Sequence, residues 1–496
     1  MSTYDLIFTD VSAVLGHDGA SDDPVAVDIG VKNGRIVALE AGLPRDQADR
    51  VISAGGKVAF PGVVDGHQHW GIYNPLPIDA YSESRASAQG GVTTALSYMR
   101  TGQYYLNKGG PYADFFPEVL EQTEGRAVID YAYHLAPMSK QHISEIPALV
   151  AEHGVTSFKV FMFYGSHGLH GRSDDQSSFL MTPPDERYDY AHFEFVMRGI
   201  EAARQQYPEL ADIISLSLHC ETAEIMSAYT KIVEEEGTLT GLEAYHASRP
   251  PHSEGLAVSI ASYLAHATGL PTINLLHLTS QAAVEAALTM ARAFPHIDFR
   301  REVTIGHLLA DCHSADHGIG AGVGGKVNPP LRPREDVEAL WGHVLAGEID
   351  WVVSDHACCK DEKKFGDDRD DVFLAKSGFG GAEYLLAGMI TEGCKRGLSL
   401  GAVARLTATN PARRYGLGGS KGALAVGLDA DIVLVDLEKS WTVRAADSVS
   451  AQEYSPLEGF EMTASVTDVF LRGEQIVTDG VVTETPGGRY LARPTS

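Results

Sequence analysis

The sequence predicts an α/β protein: a (β/α)8 barrel of the TIM type with a small β-sandwich domain formed by both chain termini. Three observations lead there. Between residues 61 and 419, apolar strand-like runs alternate with stretches of helical periodicity, the pattern of βα units feeding a parallel sheet. That span of about 360 residues suits a closed eightfold barrel. Both ends of the chain read as short, glycine-punctuated strands, and neither end alone is long enough to make a stable sheet.

At the N-terminus the strand runs are YDLIFTDVSAVL, VAVDIGVKNGRIVALEA and VISAGGKVAFPG. Asn33-Gly34 inside the second predicts a two-residue hairpin turn, because both turn positions need φ > 0. Residues 1–60 are assigned with residues 420–496 to the sandwich, which leaves 61–419 for the barrel. Barrel strands are expected in TSFKVFMF, IISLSLHC, TINLLHLT and IDWVVSDH. Helices are expected in YAHFEFVMRGIEAARQQY and GAEYLLAGMITEGCKRG, where apolar residues recur at steps of three and four. The acidic stretch KDEKKFGDDRDD reads as a solvated loop. At the C-terminus ADIVLVDLEKSWTV, SVTDVFLRGEQIVTDG and GVVTETPGG return to strand patterns.

Composition narrows the function. The chain has 66 acidic against 39 basic side chains, a formal net charge of -27, and so repels phosphate backbones and anionic membrane surfaces. Nucleic acid and membrane are not expected partners. No apolar run approaches the roughly 18 residues that span a bilayer, and MSTYDLIFTDVS lacks a basic region followed by an apolar core. These features predict a cytoplasmic protein. The five cysteines are odd in number and unpatterned, which favours reduced thiols; adjacent Cys358 and Cys359 have no second pair with which to form a four-cysteine metal site.

In PGVVDGHQHW, His67 and His69 are two apart at a predicted strand end, so both imidazoles share one side and can chelate. A lone His-x-His pair is also what a polar strand end looks like. Four other segments each end an apolar run on a further candidate ligand: Lys159 in SFKVF, His219 in SLSLHCE, His277 in NLLHLTS and Asp355 in WVVSDHA. In a barrel, residues at the C-terminal ends of different strands converge on one face. Alternation puts Trp351, Val353 and Asp355 on one side, and a carboxylate continuing a buried row needs a partner such as a metal.

Taken in order, FPGVVDGHQH, AQGGVTTALSY (88–98), SFKVFMFYG, LHCETAE, HASRPPHSEG, LLHLTS, KVNPPLRP, VVSDHA, GFGGAE and LTATNPARRYGLGGSKGALAVGLDADIVLVD run through nearly the whole chain. In these segments the sequence resembles the amidohydrolase superfamily, in its cyclic-amidase branch of hydantoinases, dihydropyrimidinases, allantoinases and dihydroorotases. The resemblance implies two divalent metal ions, zinc first, with manganese, cobalt or iron also compatible with the ligands. His67 and His69 would hold one ion and His219 and His277 the other. Lys159 would bridge them as a carbamate formed with CO2, since an ammonium cannot ligate, and Asp355 completes the set. A hydroxide shared by the ions would open the amide bond of a small ring. Tyr164, five residues after Lys159, would donate to the oxyanion, and Asp355 would carry the proton to the leaving nitrogen.

On the substrate side, the resemblance points to Asn328 in KVNPPLR and to backbone groups of Gly380 and Gly381 in GFGGAE; a turn residue before Pro329 and helix-start glycines are the plain alternatives. Dihydroorotases usually follow their His-x-His with an arginine that reads a substrate carboxylate, and Gly71 stands there in this chain. Hydantoin and dihydropyrimidine rings are therefore expected, with allantoin, dihydroorotate or an acyclic amide as alternatives and Arg332 or Lys326 as substitute anchors for a carboxylate. Non-catalytic scaffolds of this fold lack several ligands, whereas all six positions are filled here. A homotetramer is what the resemblance implies for assembly. GAGVGGKV nearly spells a phosphate-binding loop, but Val327 follows Lys326 where a Ser or Thr is needed. His134, His246, His307 and His356 read as packed or supporting histidines, and Trp70 and the nearby tyrosines either line a pocket or pack.

Overall fold

The structure is a computed structural model that describes residues 2–17, 19–164, 168–170 and 176–495. The chain opens with β1 (Tyr4–Ala13), β2 (Val25–Lys32), β3 (Arg35–Glu40), β4 (Ala48–Ser53) and β5 (Val58–Pro61). Next come β6 (Val63–Gln68), β7 (Val92–Met99), β8 (Asp130–Leu135), β9 (Ser157–Phe161), β10 (Ser215–His219), β11 (Thr272–Leu275), β12 (Asp298–Thr304) and β13 (Trp351–Val353). It closes with β14 (Ile432–Asp436), a two-stranded ribbon of β15 (Trp441–Thr442) and β16 (Glu461–Met462), and β17 (Ser465–Leu471), β18 (Glu474–Thr478) and β19 (Val481–Val482).

Strands from the two ends of the chain share one nine-stranded sheet, in the order β19-β18-β17-β14-β5-β1-β2-β3, with β4 beside β1. The β2–β3 hairpin pairs Lys32 with Arg35 across Asn33 (φ 52°) and Gly34 (φ 75°), the left-handed pair that such a turn requires. Leu6, Phe8, Ile29 and Val31 from one end pack against Ile432, Leu434 and Phe470 from the other. The Phe8 and Phe470 rings meet edge to face at 4.7 Å.

β6 to β13 form a second sheet of eight strands in sequence order, every paired neighbour parallel. The ring is drawn shut between its first and last strands, where His69 donates its backbone N–H to the His356 carbonyl at 2.8 Å. Helices fill the connections. Tyr190–Gln206 starts on Asp189, whose carboxylate accepts from the Ala191 and His192 N–H groups, an N-cap worth about 1 kcal/mol. The helix Leu385–Lys395 likewise falls inside its expected segment. No helix among the described residues is long and apolar enough to cross a membrane.

One expectation about this region is corrected. KDEKKFGDDRDD is not uniformly solvated: Asp361–Lys364 is a short helix, and buried Lys364 donates to the carbonyls of Lys326 (2.9 Å) and Gly378 (2.8 Å). Exposure is confined to Glu362, Lys363 and the tip, residues 367–370. The lysine's long stem lets the charge pattern look like a surface while its head fastens two other loops. A buried ion cluster joins the two sheets. Lys421 Nζ lies 2.7 Å from Asp130 at the start of β8, 3.0 Å from Asp429 and 2.8 Å from Asp431 just before β14.

Candidate active site

The six expected ligand positions converge on the end of the barrel where its strands run out. β6 carries His67 near its end, and the pairing with β7 shifts register between Asp65 and Gln68, a bulge of the kind that re-aims side chains beside active sites. His67 and His69 Nε2 lie 3.2 Å apart, Lys159 Nζ is 3.0 Å from His67 Nε2, and Asp355 Oδ1 is 3.1 Å and 3.2 Å from the two Nε2 atoms. The His277 ring sits 4.3 Å from that of His219 and 5.5 Å from that of His67, centre to centre. Asp355 lies beyond the end of β13 with φ 53°, and His277 has φ 30°. Left-handed backbone at non-glycine residues costs of order 1 kcal/mol or more and collects at functional sites. The alternation expected through WVVSDH thus ends at Val353, and a backbone twist delivers the carboxylate.

Three of the four imidazoles are aimed by a partner on the other side of the ring. Glu302 Oε1 sits 2.8 Å from His67 Nδ1, Tyr105 Oη 2.8 Å from His69 Nδ1, and Glu221 Oε2 2.7 Å from His219 Nε2. A ring nitrogen that donates to a carboxylate leaves the opposite nitrogen's lone pair free to bind a cation. Arg249 holds Glu221 at 2.6 Å, while Trp351 Nε1 at 2.8 Å and the His277 backbone N–H at 3.2 Å hold Glu302. Sequence reasoning does not single out Glu302, which stands between Arg301 and Val303 in no apolar run. Tyr105 leaves no signal either, since it lies 36 residues from His69 in a loop.

Burial decides the protonation states. It pushes His67, His219 and His277 well below the ordinary imidazole value and His69 down as well, so all four are neutral donors near pH 7. Burial also lowers Lys159 to about 7, making the neutral amine accessible. At Asp355 burial opposes ionisation, but attraction led by the His69 hydrogen bond outweighs it and holds the carboxyl below its usual range.

This donor set fits divalent cations. His277 Nδ1 is buried without a hydrogen-bond partner among the described residues, and ligand atoms of His67, His277 and Asp355 lie within 4.8 Å of one another. Four neutral imidazoles, a carboxylate and an amine that can become an anion are the oxygen and nitrogen ligands that zinc, manganese, cobalt and iron accept. By contrast, the carboxylates of the buried cluster Asp79, Glu83 and Cys358 are already engaged by Asn74, Gly71, His356, Ser450 and Ala451.

Beside the ligands opens a small cleft, lined among others by Ile72, Tyr105, Phe163 and Leu169. Tyr164 lines it, stacked on Phe161 at 4.7 Å. Asn328 lines it too, its amide oxygen accepting from the Tyr245 hydroxyl and its Nδ2 donating to the Leu169 carbonyl at 2.7 Å. Gly380 and Gly381 do not. Their N–H groups are taken by Gln452 (2.7 Å) and His356 Nδ1 (3.1 Å), and the cleft edge falls earlier in the same loop, at Ser377 and Gly378. The substitute anchors are also engaged: Arg332 pairs with Glu254 at 2.6 Å, and Lys326 donates to the carbonyls of Ala375 (2.7 Å) and His170 (3.3 Å). The supporting histidines pack as expected, His134 on Gly66, His307 on Pro329, His246 beside Arg332 and His356 on Glu83.

Residues 214–476 match the amidohydrolase family, and the allantoinase of Rubrobacter xylanophilus is 31% identical over 497 residues, covering 99% of this chain and 98% of that protein. The chain belongs to the amidohydrolase family. Among other relatives, the D-hydantoinase of Geobacillus stearothermophilus is 29% identical over 481 residues, covering 95% and 94% of the two chains. The D-hydantoinase structure from Bacillus sp. AR9 superposes with a TM-score of 0.84 at 25% identity, over 99% of each chain. The L-hydantoinase (dihydropyrimidinase) from Arthrobacter aurescens gives 0.81 at 25% identity, over 98% of this chain and 99% of that one. The barrel with its β-sandwich is thus the fold of hydantoinases.

Proposed function

We propose that the protein hydrolyses the C–N amide bond of a small cyclic amide or ureide, of the hydantoin or dihydropyrimidine type. The observation that carries this reading is the convergence of His67, His69, Lys159, His219, His277 and Asp355 beside one small cleft. These residues would hold two divalent ions, zinc first, with a carbamate on Lys159 as the anionic bridge. When bound, such ions make water a nucleophile near neutral pH and polarise a carbonyl.

The chain's own residues supply the rest. Tyr164, facing the cleft, donates its hydroxyl hydrogen to the ring carbonyl oxygen as that oxygen becomes anionic. Asp355, held ionised by its histidine neighbours, accepts the proton of the attacking water and returns it to the ring nitrogen as the C–N bond breaks. Asn328, Ser377 and Gly378 line the wall of the cleft against which the rest of the ring would lie. A ureide ring thereby opens to a ureido acid. The allantoinase relatives favour a second substrate for the same chemistry, the allantoin ring. The engagement of Arg332 and Lys326, with Gly71 after the His-x-His, disfavours dihydroorotate.

Asp355→Asn tests the proton transfer. With metals still bound and the fold unchanged, kcat should fall by roughly a hundredfold or more, the usual effect of losing general acid–base help. A variant within threefold of wild type would remove Asp355 from that role.

A further inference from the structure

Arg100 directly follows β7, at the same end of the barrel as the ligands. Its side chain is buried, yet Nε and Nη2 have no hydrogen-bond partner among the described residues; Nη1 donates to the Thr101 carbonyl at 2.9 Å. Arg249 and Arg332, equally buried nearby, each have a glutamate at 2.6 Å. Among the described residues no ion pair includes Arg100. Three rings surround it instead. The guanidinium carbon lies 5.4 Å from the centre of Tyr105, 5.2 Å from Tyr164 and 4.8 Å from Phe179.

Two of those rings belong to the site. The Tyr105 hydroxyl sits on His69 Nδ1, and Tyr164 lines the cleft. A buried cation with no counter-ion among the described residues is held there by the rings and the Thr101 carbonyl, and two of those rings are tyrosines of the site. Arg100 is buried and is not among the described residues that line the cleft, so it acts on the site through the rings it packs against. Its field is not screened by water at this depth and reaches the cleft through the rings.

We propose that Arg100 is a positioning residue for ring opening: its guanidinium holds Tyr164 in place, and its charge strengthens the Tyr164 hydroxyl as donor to the developing oxyanion. This rests on the role given to Tyr164 above. The stabilised charge exists only in the transition state, so the effect belongs in kcat and not in KM. The neighbouring guanidinium also pulls the Tyr164 hydroxyl down against the larger upward push of burial.

The test is a double-mutant cycle on the metal-loaded protein with a ring that the wild type opens, with metal content and thermal melting of every variant as readouts besides activity. Arg100→Met should lower kcat by about 30-fold or more with KM within about threefold, below the hundredfold and greater losses seen when an oxyanion donor itself is removed. Arg100→Lys should regain most of that loss. The Arg100→Met/Tyr164→Phe pair should be no slower than Tyr164→Phe alone, within about twofold, because the charge acts through that hydroxyl. Arg100→Gln replaces the Met variant if its melt shows that it does not fold. A kcat within threefold in the neutral variant, a Lys variant as slow as the Met variant, or full additivity in the cycle overturns the proposal while leaving Tyr164 its role. A Tyr164→Phe enzyme with wild-type kcat overturns both.

Discussion

Replacing Glu302 by glutamine changes one oxygen of the carboxylate that aims His67. Oε1 faces His67 Nδ1 at 2.8 Å and accepts the His277 N–H at 3.2 Å, while Oε2 accepts from Trp351 Nε1 at 2.8 Å. A glutamine cannot satisfy all three. With its oxygen toward the histidines, its NH2 meets the indole N–H; reversed, it donates to His67 Nδ1 and moves the imidazole proton to Nε2, where the metal lone pair is needed. Either arrangement leaves one buried group unpaired, at about 1–3 kcal/mol, which is about fivefold to 150-fold and brackets the roughly tenfold to hundredfold loss usual for a group that orients a metal-bound histidine. Chelator titration of the metal-loaded protein, followed by elemental analysis, should show that loss of affinity with an unchanged circular dichroism spectrum. The pH dependence supplies a second signature. Burial pushes Glu302 up to about 8, with Asp355 adding to the rise against the pull of Trp351, Lys159 and the His277 N–H. In the metal-free protein the group is therefore protonated below that pH, and metal uptake must displace the proton. Wild-type affinity should climb with pH until about 8, and Glu302→Gln should lose that component. Metal retention within twofold of wild type, with the same pH slope, would refute the reasoning.

Two further substitutions probe the bridge and the join between the sheets. Lys159→Ala should lose bound metal and activity, and added short carboxylic acids should restore part of both by standing in for the bridging anion; elemental analysis and rate measurements check it. Lys421→Met leaves Asp130, Asp429 and Asp431 in a buried site with Arg472, on Asp130, as the remaining cation, so denaturant unfolding should show a loss of about 3 kcal/mol, and a change under 1 kcal/mol would count against the cluster as a fastener.

The candidate ligands are legible in the sequence because each stands within or at the end of an apolar run, a signal carried by neighbours in the chain. SFKVF, SLSLHCE and NLLHLTS supply β9, β10 and β11, and their polar residues arrive together because the strands are parallel. The partners that aim those ligands are not legible. His67 and Glu302 are 235 residues apart, and no periodicity in either segment says that β6 and β12 face one another across a barrel. Arg100 escapes for a related reason: an arginine at a strand end reads as a solvent-facing cation, and only the fold shows three rings closing over it. Around Gly380 and Gly381, which N–H groups are free depends on Gln452 and His356 from distant segments, a pairing no local pattern carries.

The most direct measurement is ring opening itself. Protein reconstituted with zinc and bicarbonate, with its metal content measured, is offered dihydrouracil, hydantoin, allantoin, succinimide and dihydroorotate, and carboxylate formation is followed with and without chelator. At least one of the neutral rings should open, at a rate abolished by metal removal and restored on adding it back. Protein carrying two metals per chain that opens none of them, or opens them equally well after chelation, would contradict the account.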